Sequence, residues 1–212
     1  FGGNLACGGR DVFDLHQLAC TFCAMTDAFF FGYGSLVNCD THVYQPVHRA
    51  QARSWRRAWR ATQDRQLAFL TAVADPGVQI DGLIAPVPDG DWAALDAREY
   101  AYDRHDAAHQ ITHEAPSAGR IAIYAIAPDR MGPPTAEHPI LLSYLDVVIQ
   151  GYLRHFGADG VARFVATTDG WHAPVLNDRA TPRYPRAQVL TDVERELVDR
   201  ILLQQGSTLI TA

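Results

Sequence analysis

The chain has 212 residues, a formal net charge of −6, and 48% hydrophobic against 20% charged residues. That balance excludes a disordered polymer and suits one packed domain. No apolar run reaches the roughly 18–20 residues of a membrane-spanning helix, and the acidic total disfavours nucleic-acid binders, which ordinarily carry a basic surplus.

All 18 basic residues are arginine, a compositional habit into which no function is read. Arg10, Asp11, Asp14 and His16 interrupt any apolar signal core, so the default compartment is the cytoplasm. Of Cys7, Cys20, Cys23 and Cys39, Cys20 and Cys23 form a C-x-x-C with no second pair at a zinc spacing, and no metal is expected. Residues 1–24 read as an extension outside the working fold, because Met25 leads directly into the first strand. The expected domain is 25–212, with 158–212 packed on it as a C-terminal extension.

In chain order, Ala28–Tyr33 is a short aromatic run that predicts a buried strand, punctuated by Gly32 and Gly34. Residues 44–60 carry Arg53, Arg56, Arg57 and Arg60 among Trp55 and Trp59. Such a strip has the composition of an RNA-binding surface, but the alternation of Val47, Arg49, Gln51 and Arg53 predicts a strand with one wet face. Residues 67–73 and 79–87 are two further strands, with Asp75-Pro76-Gly77 as a hairpin turn between them. Pro88 to Asp91 then opens a short helix, WAALDARE, with aspartates favourably placed at its positive end.

Residues 100–113 and 120–126 predict strands joined by a Pro-Ser-Ala-Gly turn. His105, His109 and His113 fall in the first. On a helix they would share a face. On a strand the first and third stand about 13 Å apart, too far for one metal, and they read as surface residues. Residues 139–156 place Leu141, Tyr144, Leu145, Val148, Ile149, Tyr152, Leu153 and Phe156 on one stripe of an amphipathic helix, with Pro139 in its first turn and Gly157 at its end. Residues 159–166 continue as a short helix. Residues 167–188 form a loop rich in proline, aromatics and arginine, and Thr191 with Glu194 is a capping box opening a last helix to 205. Strands first and helices later predict an α+β fold on a largely antiparallel, barrel-like sheet.

Two segments carry candidate chemistry. Tyr33-Gly34-Ser35-Leu36 ends the first strand. Its glycine permits positive φ and close approach to a ligand, and successive amides in such a turn form an anion-binding nest. Leu95-Asp96-Ala97-Arg98-Glu99 supplies two carboxylates three positions apart, which helical facing alone does not separate.

In this order and separation the two segments resemble the gamma-glutamylcyclotransferase-like superfamily, whose members open on a strand followed by Y-G-S-[LN] and later carry L-D-x-x-E. F-G-Y-G-S-L looks most like the ChaC-type and bacterial branches. Pro139 to Gly151 (PILLSYLDVVIQG) is similar to the family's P-S-x-x-Y-x-x-x-I-x-x-G helix. The likeness covers roughly residues 27–157. It implies a small, mostly antiparallel β-barrel with flanking helices, and a reaction that cyclises a γ-glutamyl amide to 5-oxoproline with release of the amine. It further implies Glu99 as the catalytic acid/base and Tyr33, Gly34, Ser35 and Leu36 as the cradle for the γ-glutamyl group. Tyr144 takes the position of a substrate-contacting tyrosine, and no metal or cofactor is needed. The expected partner is a small γ-glutamyl compound, with neither nucleic acid nor membrane. Glutathione, another γ-glutamyl dipeptide and a γ-glutamylamine all remain open. Departures from the pattern are Tyr100-Ala101-Tyr102 after Glu99, where relatives often have glycines, and the longer tail after residue 157. A non-catalytic ligand- or protein-binding module on the same fold is the alternative. Two roles are open for the 167–188 loop: a lid in which Trp171, Arg179 and Arg183 read the amine half of a substrate, or a structural wrap whose arginines cap helix ends.

Overall fold

A computed structural model describes residues 28–63 and 65–211 of the chain; the expectations for residues 1–24 and for Cys7, Cys20 and Cys23 lie outside them. The strands are β1 (Ala28–Gly32), β2 (His48–Thr62), β3 (Ala68–Pro86), β4 (Asp103–Asp106), β5 (Ile111–His113), β6 (Arg120–Ala125), β7 (Met131–Gly132), β8 (Ile140–Leu141), β9 (Thr168–Asp169), β10 (Val175–Asn177) and β11 (Leu209–Thr211). The helices are α1 (Ala93–Arg98), α2 (Leu142–Ala166) and α3 (Asp192–Gln204). Among the described residues no helix is long and apolar enough to cross a membrane.

The main sheet runs β4-β6-β1-β3-β2-β5, with β7 and β9 also paired to β2. It curls into a half-barrel and does not close, which corrects the expectation of a closed barrel. Among the described residues β4 pairs only with β6, and the far edge of β2 is covered in pieces by β5, β9 and β7, so no hydrogen-bonded ladder among them joins the two edges. β1 is central: it lies antiparallel to β3 and parallel to β6, and every one of its residues is buried. That placement suits the unbroken Ala-Phe-Phe-Phe run, since a strand covered on both faces needs apolar side chains on both.

Three elements differ from expectation. Asp75-Pro76-Gly77 is not a hairpin end. It is an irregularity inside the single long strand β3, both halves of which pair with β2, and the register jumps there opposite Ser54. The β2–β3 ladder ends instead at the Ala61–Ala68 pair. Residues 100–113 are not one strand: β4 and β5 lie at opposite edges of the sheet with a 3-10 turn at 108–110 between them. His105, His109 and His113 therefore sit on three different elements.

The third difference is the basic strip on β2. Arg49 and Arg53 are exposed, as the alternation predicts. Arg57 and Trp59 belong to the same odd series, yet both are completely buried because α2 lies across that half of the strand. The Arg57 guanidinium sits over the rings of Tyr152 and Phe164, 5.0 and 4.9 Å from their centroids. Arg56 is paired with Asp75 and Asp169. The part of the strip around Arg57 and Trp59 is thus a core element, while Arg49 and Arg53 stay exposed.

α2 starts at Leu142, three residues past Pro139, and Gly157 breaks it with φ +66° and ψ −169°. Its first half is buried nearly all round rather than on one stripe. The sheet, the 178–190 segment and α3 enclose it, and its polar residues are matched accordingly. Asp146 accepts two hydrogen bonds from Arg179, at 2.8 and 2.7 Å, and Gln150 meets Asn38 and Glu194. The predicted capping box on α3 is present, with the Thr191 hydroxyl accepting from the Glu194 amide and the Glu194 carboxylate accepting from the Thr191 amide.

Candidate functional site

After β1 the chain turns through Tyr33 and Gly34 into a single 3-10 turn, Ser35–Val37. Gly34 has φ −117°, so positive φ is not why glycine stands here. Space is the reason. A Cβ at Gly34 would lie 2.7 Å from the Tyr144 hydroxyl, and one at Gly32 would lie 2.6 Å from the Leu36 Cβ. The turn's own bonds use the amides of Val37 and Asn38, which donate to the carbonyls of Gly34 and Ser35 at 3.0 and 3.1 Å. The amides of Ser35 and Leu36, which precede the first of these bonds, have no partner within the turn.

The bend is rigidly held from behind. The Tyr33 carbonyl accepts from Arg57 Nε at 3.2 Å and from the Tyr152 hydroxyl at 2.9 Å. Arg57 also donates to the Asp81 carbonyl, the Tyr152 hydroxyl and, at 2.8 Å, Thr167 Oγ1. Asn38, fully buried, donates to the Val147 carbonyl and to Gln150 at 3.0 and 2.9 Å. Gly151 permits that approach, since a Cβ there would fall 2.8 Å from the Asn38 nitrogen. The Tyr33 side chain is likewise anchored: its hydroxyl donates to the Tyr124 carbonyl and accepts from the Ala72 amide.

Facing the bend is the end of α1. Leu95, completely buried against Phe30 and Leu36, seats the helix, and Glu99, one turn on, shares its inward face. Asp96 points elsewhere and accepts from Tyr124 and Arg104. Facing therefore does separate the two carboxylates, once the position of Leu95 is known. The Glu99 side chain is 17% exposed. Burial pushes its carboxyl above the ordinary carboxylate range, and the Arg98 and Arg186 guanidiniums oppose that rise without cancelling it.

A cavity of about 520 Å³ opens between these elements, lined among others by Ser35, Leu70, Arg98, Glu99, Tyr102 and Tyr144. A smaller cleft of about 30 Å³ adjoins it and is lined also by Gly32, Tyr33, Gly34 and Leu36. Glu99, Ser35 and Tyr144 border both. The Tyr102 and Tyr144 hydroxyls are held protonated by burial, their pKa values well above the free phenol's. Tyr102 donates to the Leu70 carbonyl at 3.0 Å, and the Tyr144 ring is braced edge-on by Trp59 and Tyr184.

The structure thus brings Tyr33, Gly34, Ser35, Leu36, Tyr144 and Glu99 to the lining of one small cleft, and Ser35, Glu99 and Tyr144 also border the larger cavity beside it. It divides the 167–188 residues. Arg183 lines the cavity together with Tyr184 and Arg186. Trp171 is buried against Trp59 and Phe164, and Arg179 ties α2 to α3 through Asp146 and Asp199; neither lines the cavity.

Sequence reasoning passed over Arg98. Its Nε donates to Glu99 at 3.0 Å, its Nη1 to the Thr41 carbonyl at 2.8 Å and its Nη2 to Ser35 Oγ at 3.4 Å, so one guanidinium braces both sides of the site. Its place directly before a candidate acid was the available signal. Asn38 and Arg57 gave no such signal, because their roles rest on partners about a hundred residues away.

No protein-family model matches the sequence, and no curated protein does. Solved structures do match. A gamma-glutamyl cyclotransferase aligns at 12% identity with a TM-score of 0.51, over 81% of this chain and 98% of that one. An uncharacterized protein from Homo sapiens aligns at 12% identity and a TM-score of 0.50, over 81% and 97%. YkqA from Bacillus subtilis aligns at 15% identity and a TM-score of 0.50, over 68% of this chain and 56% of that one. The chain therefore has the gamma-glutamyl cyclotransferase-like fold, and at these identities the likeness is one of fold alone.

Proposed function

We propose that this hollow cyclises the γ-glutamyl group of a small amide or peptide to 5-oxoproline and releases the amine. The observation that carries the reading is the desolvated Glu99 carboxyl bordering, with the Tyr33–Leu36 bend, two adjoining cavities that share Ser35, Glu99 and Tyr144, with Arg98 bridging acid and bend.

In this reaction the substrate's α-amino nitrogen attacks its own γ-carbonyl carbon, a C–N bond forms, and the original amide C–N bond breaks. Two protons leave the attacking nitrogen and two arrive at the departing one. Glu99 accepts and returns them, and ends as the carboxylate it began. Its raised pKa makes it a stronger base than an exposed glutamate, closer to the working range of a general acid/base. The Ser35 and Leu36 amides are the donors for the oxyanion that forms on the γ-carbonyl oxygen. Holding the glutamyl chain curled between bend and carboxylate supplies much of the rate, since well-oriented intramolecular reactions gain about 7–11 kcal/mol. Rigidity matters for this, and the Arg57–Tyr152 and Asn38–Gln150 anchors behind the bend provide it.

Incubation with a panel of γ-glutamyl compounds and detection of 5-oxoproline tests the reaction; release from none of them overturns it. Glu99→Gln is expected to abolish turnover while substrate affinity stays within a few-fold. Near-normal turnover by that variant removes Glu99 from the mechanism.

A further inference from the structure

The cavity is strongly biased in charge. Among the described residues its charged lining is Arg65, Arg98, Arg183 and Arg186 against the carboxylate of Glu99, although the whole chain carries −6. Of the thirteen arginines elsewhere among the described residues, seven make an ion pair: Arg56, Arg104, Arg130, Arg154, Arg163, Arg179 and Arg195. At the cavity only Arg98 does so. Among the described residues Arg65, Arg183 and Arg186 make none, and all three are exposed at the mouth. Nor is the segment bearing two of them loosely attached. The Arg183 amide donates to the buried Asp178 carboxylate at 2.9 Å, and the Tyr184 amide to Ser143 Oγ at 3.3 Å. Asp178 in turn accepts from the Ser143 amide and hydroxyl at the start of α2. On the opposite wall Arg65 lies over the Tyr100 ring, 5.5 Å from its centroid.

A γ-glutamyl group does not call for this surplus. Its α-carboxylate and α-ammonium cancel, and Glu99 and Arg98 already offer one partner of each sign. The surplus faces whatever projects from the inner cleft toward the mouth, which is the amine half. We propose that the amine half of the substrate is anionic: the site selects γ-glutamyl compounds whose released amine bears a carboxylate, held at the mouth by Arg183 and Arg186 with Arg65 opposite, over neutral or cationic γ-glutamylamines. This rests on the γ-glutamyl reading of the inner cleft.

γ-Glutamylglycine and γ-glutamylglycinamide share one skeleton and differ in that carboxylate, which makes them the probes. Exposed ion pairs give about 2- to 5-fold each. The wild-type protein is therefore expected to prefer γ-glutamylglycine by about 10-fold or more in kcat/KM at low ionic strength, and the preference is expected to shrink as salt screens it. Arg183→Gln/Arg186→Gln is expected to reduce the ratio to the roughly 2- to 5-fold that Arg65 alone gives; any effect of losing Arg186 on Glu99 acts on both compounds alike and leaves the ratio unchanged. Calorimetric binding of both probes to the full chain separates this inference from the reaction itself. Tighter binding of γ-glutamylglycine without 5-oxoproline formation upholds the charge selection and overturns the cyclotransferase reading. Turnover of both compounds at equal kcat/KM, an equal loss on both in the double variant, or binding of neither probe overturns the charge selection.

Discussion

Gly34→Ala tests the geometry on which the site depends. The added methyl carbon would fall 2.7 Å from the Tyr144 hydroxyl oxygen, about 0.7 Å inside an ordinary non-bonded contact. Neither partner yields easily. Trp59 and Tyr184 brace the tyrosine ring, with centroids at 5.9 and 5.0 Å, and the bend is tied back by Arg57 and Tyr152 through the Tyr33 carbonyl. Overpacking at such a site costs about 1–3 kcal/mol, which for a chain of this size lowers Tm by roughly 2–12 °C. Thermal unfolding of Gly34→Ala, Tyr144→Phe and the double variant closes a mutant cycle. Removing the hydroxyl relieves the clash, so Tyr144→Phe is expected to be less damaging, or even restoring, in the Gly34→Ala background, with a coupling of about 1 kcal/mol or more. A Gly34→Ala protein that melts with the wild type, or two substitutions whose effects simply add, would refute the account of why glycine stands there.

Other outcomes follow from the same packing. The acid limb of kcat/KM against pH is expected above the ordinary carboxylate range, because burial raises the Glu99 pKa and catalysis needs its ionised form. Arg98→Met removes an opposing charge and is expected to move that limb further up; a limb that stays put would separate Glu99 from the profile. In stability the sign is opposite: a carboxyl raised on folding contributes most below its unfolded pKa, and that contribution is lost as pH rises through the folded value. Glu99→Gln is expected to flatten this dependence in urea titrations at several pH values. Arg57→Met leaves carbonyl groups and Thr167 short of a donor in a buried network and is expected to cost about 1–3 kcal/mol, or roughly 2–12 °C in Tm; a melting temperature equal to the wild type's would show that Tyr152 alone holds the bend.

Features legible in the sequence were those set by near neighbours. The aromatic run marked β1, the Gly-Tyr-Gly-Ser segment marked the turn after it, and the Thr191–Glu194 box marked the start of α3, since periodicity and capping operate within about one turn or two. The candidate acid lay in a pair that local spacing left ambiguous. Only the burial of Leu95 against β1 and the bend turned Glu99 inward and Asp96 away. The alternation from Val47 to Arg53 marked one wet face but carried no sign that Arg57 and Trp59, further along β2, are buried beneath α2, roughly a hundred residues later. Residues 100–113 kept strand composition throughout, but the open sheet offered pairing partners for their two ends on opposite edges and divided them. Among the loop arginines, composition treated Arg179 and Arg183 alike; Asp146 and Asp199 claimed the first, and the second was left beside the cavity. Side-chain pattern states which face of an element is apolar. Which element arrives to cover that face, and which polar group it brings along, depends on long-range packing that no local window contains.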